Sequence, residues 1–177
     1  MKTALVSLLG FCLFIAVADG RDEPVIFHDE KLEVALPDGW SESQQNQGGS
    51  DSVGGWESSD RKTSFYVLEL RLQSQNNEMR AALEKTVANF DADDHWLVGE
   101  IGPYRDITVN DLPASYVRVE LELLSGNRRV PFVFHFAMVG AENSFFLLQG
   151  STMKPVWKVR EDELIRLIQS FKVRKED

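Results

Sequence analysis

Asp91, Asp93, Asp94 and His95 crowd into one short run. Carboxylates at this spacing offer hard oxygen ligands of the kind that hold Ca²⁺, and the neighbouring imidazole could act as a base. The run lacks the glycine and the distant bidentate glutamate of an EF-hand loop, so a solvated turn at the end of a helix accounts for the same residues. A metal-dependent or hydrolytic module at Asp91, Asp93, Asp94 and His95, with Ca²⁺ as its candidate cofactor, is the alternative reading. In the leading one the chain has no cofactor and no catalytic residue. His28 beside Asp29 and Glu30 reads as a solvated turn, and His135, alternating with Val133 and Ala137, reads as part of a partly buried strand face. A hydrolase needs a nucleophile held by a base and an orienting acid. The serines form no Gly-x-Ser-x-Gly elbow, and Cys12 is the single cysteine.

Binding chemistry is carried by aromatics. Of the four tryptophans, Trp96 and Trp157 lie near covering elements and read as core. Trp40 and Trp56 flank or occupy residues 41–62, a stretch rich in Ser, Gln, Asn and Gly that reads as the main flexible loop, with Val53 and Trp56 as a candidate short edge strand inside it. Trp56, beside Gly54 and Gly55, is the candidate exposed anchor for a protein partner, with Trp40 next to it; the competing reading folds Trp56 back onto the sheet. Arg128-Arg129 is too short a basic patch for nucleic acid.

The elements that must position these residues begin after an expected secretion signal. Lys2 supplies a positive start, residues 4–17 an apolar run, and Ala16-Val17-Ala18 a small-x-small cleavage pattern, so residues 1–18 read as a signal peptide cut near Ala18 or Gly20. The run is shorter than the roughly twenty residues of a bilayer-spanning helix, and Phe11 is too bulky to precede a lipidated cysteine at Cys12. Removal of the first 18 leaves 159 of the 177 residues, a length for one domain. The mature chain then has no cysteine for disulfides or thiolate sites, which suits a bacterial periplasm or cell exterior. The net charge of −9 disfavours nucleic acid and anionic lipid surfaces as partners, and no stable membrane insertion is expected after signal removal.

Strands are expected over 25–27, 31–36, 63–72, 96–98, 104–109, 114–124, 130–139 and 144–151, from period-two alternation bounded by turn residues. The strand over 130–139 is apolar on both faces and must be central and covered on each. Helices are expected over 77–90, with Met79, Leu83, Val87 and Phe90 on one stripe, and from Pro155 or Val159 to Phe171, with Leu164, Leu167, Ile168 and Phe171 inward. The sum is an α+β domain over 19–177, an antiparallel sheet covered by helices as an α-β-α sandwich.

The strand ending in Leu36-Pro37-Asp38-Gly39-Trp40, the turn Asp111-Leu112-Pro113-Ala114, the Phe-rich strand and the terminal Ser170-Phe171 together resemble the PsbP-like superfamily. That resemblance implies the same α-β-α sandwich and a non-enzymatic task as an accessory, binding or assembly subunit. The expectation is an exported binding protein that engages a protein or cell-envelope component.

Overall fold

The computed structural model describes residues 22–44, 51–70, 78–141 and 144–174. The expected signal peptide and its cleavage site lie outside these residues. Strands β1 (Glu23–Phe27) and β2 (Leu32–Leu36) form a hairpin, followed by β3 (Trp40–Glu42), β4 (Ser52–Ser58) and β5 (Thr63–Leu70). Helix α1 (Glu78–Asp91) comes next, then β6 (Trp96–Ile101), β7 (Arg105–Val109), β8 (Leu112–Ser125), β9 (Arg128–Gly140) and β10 (Phe145–Met153). A short 3₁₀ turn (Lys154–Val156) leads into α2 (Trp157–Ser170), and β11 (Lys172–Val173) closes the described chain.

The main sheet is antiparallel, in the order β3-β4-β5-β10-β9-β8-β6, with β7 also paired to β8. A smaller sheet, β1-β2-β11, lies on the α2 side, where Leu32, Val34 and Leu36 join the core. Alternation along the strands sorts the apolar residues into two clusters. Phe134, Phe136 and Met138 of β9 meet Leu83 and Val87 of α1, while Ala137 and Val139 meet Leu164, Leu167 and Ile168 of α2. The expected α-β-α sandwich is therefore observed, with β9 central and buried on both faces.

Turn chemistry fixes the edges. Asn110 (φ 43°) and Asp111 (φ 67°) are both left-handed, the conformation of a two-residue hairpin joining β7 to β8. The Asn110 side-chain amide donates to the carbonyls of Gln169 (2.8 Å) and Phe171 (2.9 Å), satisfying backbone acceptors at the end of α2.

Residues 41–62 differ most from expectation. The region expected as a flexible loop with a short edge strand at Val53 and Trp56 contains the rest of β3 and all of β4, and β4 is an interior strand between β3 and β5. Residues 45–50 of that stretch lie outside the described set. The two glycines serve packing: a Cβ on Gly54 would stand 2.6 Å from the Trp56 ring, and one on Gly55 would stand 2.5 Å from the Tyr66 ring. Both rings are buried and cannot swing away. Gly55→Ala is accordingly expected to destabilise the fold by about 1–3 kcal/mol, the usual cost of overpacking, measured by urea unfolding.

Candidate functional site

The expected sites are found apart from one another. Trp56 is 4% exposed, with its ring edge-on to Phe27 at 4.9 Å and stacked on Phe65 at 6.2 Å. The exposed Trp56 anchor is thus corrected: the glycines beside it leave room for the indole to lie flat in the core. Trp40 is half-buried, and its indole N–H donates to Glu163 of α2 at 2.7 Å. Trp96 packs against Phe90, Phe132 and Phe134, as expected of a core residue.

Asp91 ends α1, and Asp93 and His95 satisfy each other. One Asp93 oxygen accepts both the backbone N–H of His95 and its ring Nδ1, each at 2.9 Å. These bonds, the backbone one foremost, hold the Asp93 carboxyl below its ordinary pKa. Among the described residues no three His, Asp or Glu side chains converge as a metal site would require. Within the run, Asp93 and His95 form a local turn.

A different place combines concavity with polar groups that lack partners. The edge of the sheet breaks between β6 and β7: the pairing of β6 with β8 shifts register between Val98 and Ile101, and β7 resumes at Arg105 opposite Tyr116. Gly102 bridges the break by donating its backbone N–H to the Arg118 carbonyl at 2.9 Å. Helix α2 passes over this break and leaves a cleft of about 420 Å³. Glu100, Pro103 and Arg105 form one wall, Glu161, Ile165 and Gln169 the other, and Tyr116 and Arg118 of β8 line it between them.

Neighbouring side chains contact the cleft lining. Arg118 donates to Glu120 at 2.7 Å, its guanidinium lies 4.7 Å from the Trp157 ring centre, and Lys154 donates to the second Glu120 oxygen. Lys154, then Arg118, holds the Glu120 carboxyl below its usual range. Trp157 thus caps the guanidinium instead of entering the main core. Tyr116 shares a 2.6 Å hydrogen bond between its hydroxyl and Nδ1 of His135, which is 0% exposed. Burial drives the two titrations apart: Tyr116 is pushed up to about 12 and His135 down to about 4. Arg118 Nε and His135 Nε2 are buried without a hydrogen-bond partner among the described residues.

Tyr116, Arg118 and His135 were absent from the expected sites. The signal lay in the pattern of two neighbouring strands. Arg118 pairs directly with His135 across β8 and β9, and a strand apolar on both faces implies that its neighbour's polar face is covered too. A second depression of about 380 Å³ lies at Leu97, Gly99, Glu122 and Phe132, but its lining contains none of the buried unpartnered atoms.

No protein-family model and no curated protein matches the chain by sequence. Solved structures do match in shape. Cyanobacterial PsbP (CyanoP) from Synechocystis sp. PCC 6803 aligns at TM-score 0.64 and 13% identity, over 94% of this chain and 99% of that one. LpqN, involved in cell envelope biogenesis of Mycobacterium tuberculosis, aligns at TM-score 0.55 and 10% identity, covering 86% and 90% of the two chains. The Saccharomyces cerevisiae Ran-binding protein Mog1p aligns at TM-score 0.53 and 9% identity, covering 87% and 96%. The chain has the fold shared by PsbP and Mog1, and at these identities the likeness is one of fold.

Proposed function

We propose that this is an exported, non-enzymatic binding or accessory protein that engages a protein or cell-envelope partner, and that it does so at the cleft between α2 and the β6–β7 break. The observation that carries this reading is Arg118. It lines a concave site, is held by Trp157 and Glu120, and retains a buried N–H without an acceptor among the described residues. A positioned donor beside apolar side chains, here Pro103, Ile107 and Ile165, is the usual composition of a recognition site. His135 and Tyr116 do not favour proton transfer there, since at neutral pH the first stays unprotonated and the second protonated.

Export is supported by the signal pattern of residues 1–18, and no helix among the described residues is long and apolar enough to cross a membrane. Two of the similar folds, LpqN and Mog1p, belong to a protein of cell envelope biogenesis and to a Ran-binding protein. The first is consistent with a task at the cell envelope and the second with partner binding.

Ile165 tests the site. It is 38% exposed on the cleft wall, and Leu97, equally exposed at 38%, lies outside the cleft. Ile165→Asp is expected to abolish capture of the native partner from the envelope fraction, with folding intact by circular dichroism, while Leu97→Asp leaves capture unchanged. Equal capture by wild type and Ile165→Asp would remove the cleft from the account.

A further inference from the structure

The charges around the cleft point to one kind of occupant. Arg105 and Arg118 stand on its lining with Glu100 and Glu161, and Ile107, Ile165 and Ile168 supply apolar contact. Glu120 is shared between the partly buried Arg118 and the exposed Lys154, so two cations divide one anion. Arg118 Nε has no acceptor among the described residues. A carboxylate is the group that completes such a guanidinium, because charge-assisted bonds are the stronger ones.

A purely acidic ligand would meet Glu100 and Glu161, however, and a fatty acid would leave these carboxylates facing its acyl chain. A peptide resolves both conflicts, because its backbone N–H groups can donate to the glutamates while its terminal carboxylate reaches the arginines. The volume of about 420 Å³ suits one large side chain with the backbone around it. The adjoining break between β6 and β7 is at the sheet edge, where an extended chain can lie alongside.

Resting on the binding role above, we propose that the cleft captures the C-terminal tail of a protein partner. The free carboxylate sits against Arg118 and Arg105, and an apolar last side chain packs between Ile107, Ile165 and Ile168.

The test titrates the isotope-labelled protein with N-acetylated tetrapeptides Gly-Ser-Thr-Xaa, where Xaa is Leu, Val or Phe. Each peptide is supplied as free acid and as C-terminal amide, with octanoate as a third arm. At least one free acid is expected to bind about tenfold tighter than its amide, as loss of one charge-assisted hydrogen bond implies. The shifts should centre on Gly102, Tyr116 and Gln169. Arg118→Gln should bring acid and amide to equal affinity. Arg105→Gln, at an exposed position that cannot upset the fold, should lower the acid's advantage by about threefold. Equal binding of acids and amides, octanoate matching the best acid, or no shift with any probe would each overturn the proposal. If those results coincide with loss of partner capture in Ile165→Asp, the cleft remains the binding site and only the terminal-carboxylate inference falls. Capture that survives Ile165→Asp removes both.

Discussion

Trp56→Ala is expected to cost about 3–5 kcal/mol of stability, the range for truncating a large buried aromatic. The indole is 4% exposed and wedged between Phe27, Phe65 and the bare backbone of Gly54. Alanine would leave a cavity that these neighbours, themselves fixed in strands, cannot close. Urea unfolding followed by far-UV circular dichroism checks the value. A loss below about 1 kcal/mol would mean that Trp56 does not occupy the core position described. This expectation also changes how binding data are interpreted. Partner capture lost on Trp56→Ala would report unfolding and could not map a surface, whereas Ile165→Asp leaves the core untouched.

The second large effect is a loss of stability in mild acid. His135 is buried between β8 and β10 and faces Tyr116 and Arg118, with its pKa lowered to about 4 first by burial and then by the Arg118 charge. In the unfolded chain an ordinary histidine titrates near 6.5, so between pH 6.5 and 4 the unfolded state binds the proton more readily. The contribution of neutral His135 is therefore fully present above pH 6.5 and is lost as pH falls towards 4. The loss amounts to about 3 kcal/mol at most. Below about pH 4.5 the Glu120 carboxyl, also held low in the fold, adds a further decline. Chemical denaturation at pH 7.5, 6, 5 and 4.5 should show this slope, and His135→Gln, which removes the titrating group, should flatten it above pH 4.5. A wild-type profile already flat between pH 6.5 and 4.5 would contradict a buried neutral imidazole.

Period-two alternation made the sheet legible in the sequence. The pairing of Phe65 and Val67 on one face with Leu68 and Leu70 on the other was readable, as was the inward stripe of Leu164, Leu167, Ile168 and Phe171. Composition misled at residues 41–62. Gly54 and Gly55 look like loop residues, yet they belong to a strand whose neighbours' rings occupy the space their side chains would fill. Polarity hid the cleft in a similar way. Arg118, Glu120 and Glu122 share the polar face of an alternating strand, and nothing local announces that α2 will cross over it. The face is covered at Tyr116 and Arg118 by α2, a long-range packing that local pattern does not show. The aspartate run at Asp91, Asp93 and Asp94 shows the reverse: dense chemistry in sequence resolves into one Asp93–His95 turn.

Helix α2 offers an internal control for the account's main claim that the cleft is where a partner binds. Ile165 lines the cleft, while Val159, on the same helix, is 81% exposed and absent from the cleft lining. A photoreactive benzoylphenylalanine placed at either position and irradiated in the native envelope fraction reports which side of α2 the partner touches. A discrete cross-linked species is expected from position 165, none from position 159, and loss of that species when Arg105→Gln and Arg118→Gln are added. Cross-linking from position 159 alone, or from position 165 with no dependence on the two arginines, would contradict that claim.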